Sequence, residues 1–277
     1  CTRCVRFGQE IGGIMELGMG NRNMHSEIMT FVGRSVDSEL SGNMIDMCPV
    51  GALTSKPFRY TARSWELQRR KSVSPHDSVG ANLVVQVKHE TVMRVLPREN
   101  EEVNECWISD KERFSYQALN SEERLTKPMV KQGGEWKEVN WNVALDYVAH
   151  GLKDVARNHG GDAVAALAAQ SSTLEELALL GKVMKGLGSG NIDFRTRQSD
   201  FSADSKRAGT PWLGMRLAEI QNLDGVLVVG SFLRKDHPLI AQRLRQAAKK
   251  YTNVSLLSVT GDDQLINLHA RMTVAPG

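Results

Sequence analysis

The chain has 277 residues, 41% of them apolar, and its 35 lysines and arginines nearly balance 32 aspartates and glutamates. This composition is sufficient for a buried core, which excludes a disordered chain, and the small net charge argues against a dedicated nucleic-acid binder. No apolar run approaches the roughly 20 residues of a membrane helix, and four cysteines are too few for a disulfide scaffold. Because residue 1 is a cysteine, we expect the chain to be the middle part of a longer protein.

The first half of the chain is predicted to be rich in loops. Residues 1–60 contain many glycines and methionines without clear periodicity, and the methionines between 15 and 47 are interpreted as gap-filling apolar packing. Residues 59–71 carry many arginines and are predicted to form a solvated linker. Two β-branched runs within 83–96 flank His89-Glu90, which predicts a hairpin whose second strand ends at Pro97.

From about residue 140 the pattern alternates between helices and strands. Helical spacing and capping residues predict three helices, over 141–158, 173–187 and 238–251, the last opening with Pro238. Short apolar runs predict buried strands over 163–169 and 225–230, another strand over 254–259 and a final one from residue 271. This alternation predicts a parallel sheet with helices packed on it. The glycine-rich segment 186–190 follows a helix, so it is predicted to be a C-cap rather than a nucleotide-binding loop.

Three of the four cysteines form a pattern that indicates an iron–sulfur site. Cys1 and Cys4 are a C-x2-C pair, and Cys48 is followed at once by Pro49, as in the cysteine that closes a bacterial ferredoxin motif. The proline fixes φ where the chain turns around a cluster, and Gly51 is predicted to let the backbone approach closely. A [4Fe–4S] cluster requires four thiolates, and a ferredoxin-type run would put the missing one three residues before Cys1.

Other interpretations of the cysteines remain open at this point. A structural zinc ion could take Cys1, Cys4, Cys48 and a histidine such as His25, although zinc sites usually show a second close pair. A disulfide between Cys1 and Cys4 is disfavoured. C-x2-C redox motifs lie near a βαβ unit, and the N-terminal segment does not have the pattern of one. Unrelated buried thiols would leave the proline after Cys48 unexplained.

Several segments together resemble a known family, and they lie at residues 1–7, 38–43, 48–57, 94–97 and 107–111. The set is similar to the large iron–sulfur subunit of respiratory complex I, densely over 1–130 and at pattern level over 130–277. The resemblance implies that Cys1, Cys4 and Cys48 bind one [4Fe–4S] cluster on the electron path from flavin to quinone, with no catalytic residue in this chain. It also implies that a [2Fe–2S] cluster and another [4Fe–4S] cluster belong only to the full-length subunit.

The same resemblance implies an α+β fold in three parts. Residues 1–62 would form a ferredoxin-like [4Fe–4S] module truncated at its N-terminus, and 63–118 a β-rich, molybdopterin-type cluster region without ligands. Residues 119–277 would form a partial α/β parallel-sheet domain like that of molybdopterin oxidoreductases. The implied partners are the flavin-bearing NADH-oxidising subunit and the connecting iron–sulfur subunits, with no nucleic acid and no direct membrane insertion. The implied location is a peripheral arm on the cytoplasmic face of the bacterial inner membrane, or the matrix side in mitochondria.

A second cluster site of the molybdopterin enzymes is expected to have been lost. The segment that resembles their cysteine motif carries Ser74, Asp77, Ala81 and Ser109 at the ligand positions. Cys106 is three residues away from the last of these positions and has no cysteine near it. We therefore predict no second cluster, and we interpret Cys106 as a lone thiol.

The molybdopterin pocket is also expected to be missing. After the strand over 225–230, Phe232-Leu233 replaces the Asn-Pro turn that contacts the cofactor in those enzymes, so no molybdopterin is expected. The rival functions are a molybdopterin-dependent oxidoreductase of the formate dehydrogenase type and a cluster-free scaffold. Under the electron-transfer interpretation, Arg3 and Arg6 beside the ligands are hypothesised to raise the cluster potential, because a positive charge favours the more negative reduced state.

Overall fold

The computed structural model describes residues 1–31, 33–196, 200–206 and 208–275. The chain divides into two compact units, one made of Cys1–Ser121 with Trp212–Gly277 and the other of Glu122–Pro211. The predicted segments 1–62 and 63–118 thus share a unit with the last part of the chain, and the three-part division remains a prediction. Among the described residues, no helix is long and apolar enough to cross a membrane.

The cysteine-bearing segment at the start is built from short elements. Helix α1 (Arg3–Arg6) continues directly into a π-helix (Phe7–Gly12), and β1 (Leu17–Gly20) pairs antiparallel with β2 (Glu27–Thr30). Helix α2 (Asn43–Met47) then leads to Cys48. The buried side chains of Phe7, Leu40 and Met44 pack in the first core of the unit.

The methionines of this segment correct the interpretation made from composition. Met44 is buried and Met47 is half-buried, as expected of packing residues, but Met15, Met19, Met24 and Met29 are exposed. The prediction was wrong for all four. Met19 and Met29 are exposed because the strands that carry them, β1 and β2, form a separate two-stranded sheet, and Met15 and Met24 lie before and between these strands. A two-stranded hairpin cannot cover both of its own faces.

The next segment is a three-stranded antiparallel sheet in the order β3-β4-β5. Its strands are β3 (Gln68–Val73), β4 (Asn82–Lys88) and β5 (Thr91–Pro97). The predicted hairpin is confirmed, with His89 at φ 53 in the turn, and β5 ends at Pro97. The predicted linker over 59–71 is wrong at its end, where β3 begins. Its charged side chains are exposed because β3 is an edge strand held by backbone pairing to β4.

A short helix follows this sheet and closes the first part of the unit. Helix α3 (Asp110–Phe114) begins at Ser109, whose hydroxyl accepts a hydrogen bond from the backbone N–H of Glu112. The Glu112 carboxylate accepts in turn from the backbone N–H of Ser109 at 2.6 Å. This capping box satisfies two backbone donors and fixes the start of the helix.

The second unit, Glu122–Pro211, contains the first predicted helices and strands of the alternating region. Its elements are β6 (Met129–Gln132), β7 (Glu135–Glu138), α4 (Trp141–His159), β8 (Ala166–Leu167), α5 (Leu174–Gly186) and β9 (Ile192–Asp193). The prediction of α4 is confirmed with its cap, since the Asn140 side chain accepts from the Val143 N–H. The 186–190 segment is confirmed as a C-cap: Gly188 is at φ +76 and the Ser189 N–H donates to the Met184 carbonyl.

The last part of the chain returns to the first unit as a parallel sheet in the order β10-β11-β12. Its elements are β10 (Gly225–Val229), α6 (Leu233–Asp236), α7 (Pro238–Ala248), β11 (Asn253–Ser258) and β12 (Ala270–Thr273). Leu244 and Ala241 of α7 belong to a core with Val228, Val254 and Leu256 of the sheet. The predicted parallel sheet is confirmed for these three strands. The strand predicted over 163–169 is not part of it, because β8 pairs parallel with β9 in a separate two-stranded sheet.

The predicted burial of two strands is wrong. Leu167 in β8 is exposed, and so are Leu227 and Val229 in β10. In β10, Val226 and Val228 pack in the core shared with α7, whereas within the described residues the opposite face of this strand is left open. An apolar run predicts that a strand forms. Whether the strand is buried depends on which elements pack on each of its two faces.

Candidate iron–sulfur site

The three cysteines of the predicted ligand set line one cavity of about 640 Å³. Cys4 and Cys48 are half-buried, and Cys1 is exposed. Most of the remaining wall is apolar and includes Leu17, Val36, Met44, Ile45, Leu53 and Phe114. The chain thus brings together thiols that are far apart in sequence and surrounds them with a largely apolar wall.

The first ligand arm, residues 1–13, carries Cys1 and Cys4. Helix α1 and the π-helix are continuous, and the arm ends at Gly13 with φ +80. Phe7 anchors this arm in the core: it is 2% exposed, and its ring centroid lies 5.0 Å from that of Trp107. Burial of this aromatic ring positions the helix that presents Cys4 to the cavity.

The second ligand arm, residues 38–48, carries Cys48 and is held by buried polar contacts. Asn43 is almost fully buried; its side-chain amide donates to the Ile108 carbonyl at 2.7 Å and accepts from the Ile108 N–H at 3.2 Å. This paired contact ties the start of α2 to the segment before α3. Because an unpaired buried amide is costly, the pair fixes the register between the two segments.

Two charged residues of α3 hold the same arm. The Asp110 carboxylate accepts from the Ser41 hydroxyl at 2.5 Å and from the Gly42 N–H at 2.6 Å. Burial raises the pKa of Asp110, while these two hydrogen bonds oppose the shift. The Arg113 guanidinium donates to Asp46 at 2.6 Å and is 4% exposed. Neither role was inferred from the sequence, because spacing along the chain does not show that α3 and α2 meet.

The loop after Cys48 turns its backbone toward the sulfur. The Leu53 N–H donates to Cys48 Sγ at 3.5 Å. This N–H lowers the pKa of the Cys48 thiol most; burial opposes it, and the N–H groups of Val50, Ala52 and Gly51 add to it. Gly51 is at φ +67, a conformation that favours glycine, and no protein atom lies within 4 Å of where its Cβ would be, so its predicted close approach to a cluster stays a prediction. Backbone donors favour the thiolate, which is the form that binds metal.

The structure bears on the zinc alternative through the positions of its proposed ligands. Among the described residues, no group of three or more His, Cys, Asp or Glu side chains is placed to hold a single metal ion. His25, the histidine of the zinc alternative, is exposed and does not line the cavity. Thiol ligands, amide donors and an apolar wall are the features by which proteins hold iron–sulfur clusters and tune them.

The structure weakens the hypothesis that Arg3 and Arg6 raise the cluster potential. Both side chains are exposed, and neither residue lines the cavity. Arg6 donates to Glu10 at 2.9 Å, so a carboxylate offsets its charge. Exposed charges are strongly screened by water and salt.

We therefore expect Arg3→Gln to leave the midpoint potential of a bound cluster unchanged. The measurement is an EPR-monitored redox titration of the full-length subunit beside the wild type. A clear fall in the potential of the Arg3→Gln variant would restore the original hypothesis.

Ser74, Asp77, Ala81 and Ser109, which stand at the ligand positions of the molybdopterin-type cysteine motif, have structural roles. Ala81 is fully buried, and its carbonyl accepts from the Ser74 N–H at 2.8 Å. Ser109 is the N-cap of α3, and the Asp77 carboxylate accepts from the Val79 N–H at 3.0 Å. Cys106 is exposed, and partial burial together with Glu105, Glu101 and Glu99 raises the pKa of its thiol. A raised pKa disfavours the thiolate, which agrees with the interpretation of Cys106 as a lone, unreactive thiol.

A buried carboxylate in this region leads to a prediction about stability. Glu112 is 1% exposed, and burial raises its pKa, while hydrogen bonds with Ser109 and Ser74 oppose the shift. Glutamine keeps the capping box without the charge. We expect Glu112→Gln to stabilise the fold at pH 7 by roughly 1–2 kcal/mol, because it removes the cost of burying an incompletely compensated charge.

The sign of the pH dependence follows from the raised pKa. The folded state keeps the Glu112 proton to a higher pH than the unfolded state, so the wild type loses stability as pH rises above the unfolded value. Below that value both forms are neutral, and the advantage of Glu112→Gln should disappear. Denaturant unfolding of both proteins across the acidic range measures this, and a constant difference at all pH values would contradict it.

The turn after β10 is held by hydrogen bonds to a carboxylate within the same segment. The Asp236 side chain accepts from the Ser231 hydroxyl at 3.1 Å and from the Phe232 N–H at 3.0 Å. Gly230 is at φ +66, which lets the strand end in this turn. The Asp236 carboxylate therefore holds the turn that follows β10.

Three families match consecutive parts of the chain. Residues 1–54 match the NADH-quinone oxidoreductase subunit 3 ferredoxin-like domain, and residues 67–117 match the NADH-ubiquinone oxidoreductase NDSU1/NuoG-like 4Fe-4S domain. Residues 124–268 match the molybdopterin oxidoreductase family. The 67–117 segment contains a single cysteine, Cys106.

Individual relatives agree with these matches. The chain is 38% identical to a subunit of the NADH-quinone oxidoreductase of Rickettsia felis, over 90% of this chain and 36% of that protein. It is 38% identical to the NADH-ubiquinone oxidoreductase 75 kDa subunit of Reclinomonas americana, over 94% of this chain and 38% of that protein. Among solved structures, acetylene hydratase from Pelobacter acetylenicus matches with a TM-score of 0.49 and 15% identity, over 72% of this chain and 28% of that one. The chain therefore spans little more than a third of the length of these curated relatives.

Proposed function

Because the chain belongs to the molybdopterin oxidoreductase family and to the lineage of the large iron–sulfur subunit of complex I, we propose that it relays single electrons through a [4Fe–4S] cluster. Cys1, Cys4 and Cys48 hold this cluster, and a fourth ligand completes the set. The observation that carries the proposal is the arrangement of these three thiols on one apolar cavity. The complete protein takes electrons from the flavin side of complex I and passes them toward quinone.

Each feature of the cavity has a task in this function. A bound [4Fe–4S] cluster supplies a centre that gains and loses one electron at a time. The thiolates hold it, the N–H groups of residues 50–53 stabilise the Cys48 thiolate, and the apolar wall limits the access of water. We assign no substrate-handling role to the described residues, and we propose that the partners determine where electrons enter and leave.

We also propose partners and a location for the complete protein. The flavin-bearing NADH-oxidising subunit and the connecting iron–sulfur subunits are the partners, in a peripheral arm of the complex. This arm faces the cytoplasm in bacteria or the matrix in mitochondria. The [2Fe–2S] cluster and another [4Fe–4S] cluster belong to the rest of the full-length subunit.

We also propose that the chain binds no molybdopterin. The Asp236 carboxylate closes the turn that would have to receive the phosphates of a nucleotide-type cofactor. A negative charge beside phosphate is unfavourable, because like charges repel. The family fold is thus used as a scaffold, since a fold alone does not fix a function.

Metal analysis of the full-length subunit tests both proposals on one sample. We expect iron and acid-labile sulfide, with molybdenum at background. Stoichiometric molybdenum would favour the rival molybdopterin-dependent oxidoreductase. A folded subunit without iron or sulfide would favour the cluster-free scaffold.

A further inference from the structure

One face of α7 consists of polar side chains turned toward the first ligand arm. Its members recur at helical spacing and are Gln242, Arg245 and Gln246, and Lys249, the C-cap residue of α7, continues the same face. The apolar residues Ala241 and Leu244 of the same helix belong to the core shared with β10 and β11. Helix α7 therefore joins the parallel sheet on one side to the ligand-bearing segment on the other.

These side chains donate to the last carbonyls of the π-helix. Carbonyls at the end of a helix have no partner within it, and positive charge is favourable there. Lys249 donates to the Gln9 carbonyl at 2.9 Å, and Arg245 donates to the Gly12 carbonyl at 2.7 Å. Two glutamine side chains donate to the Ile11 carbonyl, Gln242 at 3.1 Å and Gln246 at 2.7 Å. Helix α7 thus caps the end of the first ligand arm.

Arg245 also reaches the second ligand arm. Its guanidinium donates to the Glu39 carboxylate at 2.7 Å and, through Nε, to the Leu265 carbonyl at 2.7 Å. The Arg245 side chain is 2% exposed and that of Glu39 is 10% exposed, so water screens this ion pair little. Only a planar guanidinium offers donors in several fixed directions at once. A single side chain therefore connects the arm of Cys1 and Cys4 with the arm of Cys48.

The neighbouring sequence leaves room for this arginine. A Cβ at Gly13 would lie 2.6 Å from Arg245 Cδ, and Gly13 is at φ +80. Arg234 adds a second contact to Glu39, at 3.2 Å. The arginine, the glycine and the carboxylate thus form one packed arrangement at the base of both arms.

We propose that Arg245 is a positioning residue that fixes the two ligand arms relative to each other and thereby holds the cluster in the cavity. This inference rests on the proposed function. Ligands on two separate arms bind one cluster only while the arms hold a fixed distance from each other. Breaking the contacts that Arg245 makes with both arms should therefore make this cluster easier to remove. Other clusters of the complex should not be affected.

The test uses the full-length subunit in the assembled complex, with Arg245→Lys as the main variant. We measure the low-temperature EPR signal of this cluster over time in the presence of an iron chelator. Lysine keeps the charge but cannot contact both arms, so we expect the signal to decay about tenfold faster, the effect of one lost charge-assisted hydrogen bond. The signals of the other clusters should decay as in the wild type.

Arg243→Lys is the matched control. Arg243 lies on the same helix and is 4% exposed, but it donates to the Val103 carbonyl and pairs with Glu105, outside both ligand arms. We expect wild-type decay for this variant. Equal decay in the two lysine variants would show general loosening of α7 and would overturn the proposal.

Glu39→Gln is the second variant, for the case in which the Arg245→Lys complex does not assemble. It changes the same contact from the side of the second ligand arm. It should also accelerate the decay, and its effect should be smaller when it is added to Arg245→Lys than when it is made alone, because both variants break the contact between Arg245 and Glu39 and only the weaker contact with Arg234 remains to be lost. If Arg245→Lys assembles and its signal decays at the wild-type rate, the positioning role of Arg245 is wrong and the proposed function is unaffected. Where only Glu39→Gln assembles, decay at the wild-type rate in that variant has the same meaning. A wild-type complex without any EPR signal that depends on Cys48 overturns the proposed function instead.

Discussion

Replacing Cys48 by alanine in the complete subunit is expected to abolish electron flow from NADH to quinone in the assembled complex. The thiol of Cys48 is the sulfur toward which the backbone of residues 50–53 turns, and alanine offers no ligand. Electrons should still reach an artificial acceptor at the flavin, because that step does not require this cluster. The measurement compares quinone reduction with reduction of the artificial acceptor in the same membranes.

Cys106→Ala is the matched control for this change. Cys106 is exposed and does not line the cavity, so its replacement should leave quinone reduction at the wild-type rate. Substantial quinone reduction in an assembled Cys48→Ala complex would mean that electrons pass by another route. The proposed relay would then be wrong.

Gly42→Ala is expected to produce the largest loss of stability from a single added methyl group. A Cβ at Gly42 would lie 2.6 Å from Arg113 Cδ and 2.8 Å from Asp110 Oδ1. Both side chains hold the arm of Cys48, so they cannot move without breaking buried hydrogen bonds. Overpacking at such a site costs about 3 kcal/mol, and we expect the denaturation midpoint of the subunit to fall accordingly.

Gly181→Ala provides the comparison. Gly181 lies inside α5, and a Cβ there would meet no atom within 4 Å, so alanine should stabilise the helix by roughly 0.5–1 kcal/mol. Opposite shifts in the two variants would show that the effect at Gly42 is steric. A Gly42→Ala subunit that unfolds like the wild type would contradict the packing described for the second ligand arm.

The elements that the sequence predicts well are those whose limits are set by nearby residues. Asn140 caps α4, Pro238 opens α7, and Gly188 follows α5 in a left-handed conformation. Each signal acts within a turn or two of its helix, so it is visible in a short window. The hairpin at His89-Glu90 is local in the same sense, because its two strands adjoin the turn.

The features that the sequence did not predict depend on distant partners. Strand β3 looked like a basic linker because an edge strand is held by backbone pairing, which its charged side chains do not show. The exposure of Leu227 in β10 depends on which face α7 covers.

The candidate site divides in the same way. Cys1, Cys4 and Cys48 were predicted as ligands from two local signals, the C-x2-C pair and the proline after Cys48, together with the family resemblance. The groups that hold their arms were not, since Arg245 and Glu39 are 206 residues apart and meet only in the fold. Asp110 and Gly42 likewise come together across 68 residues.

We propose that these three thiols bind one and the same cluster. Low-temperature EPR of the dithionite-reduced full-length subunit tests this proposal, with spin quantitation for the wild type and for single alanine variants of Cys1, Cys4 and Cys48. We expect each variant to weaken or lose the same signal and to leave every other signal unchanged. Loss of different signals in different variants, or an unchanged spectrum in all three, would contradict it.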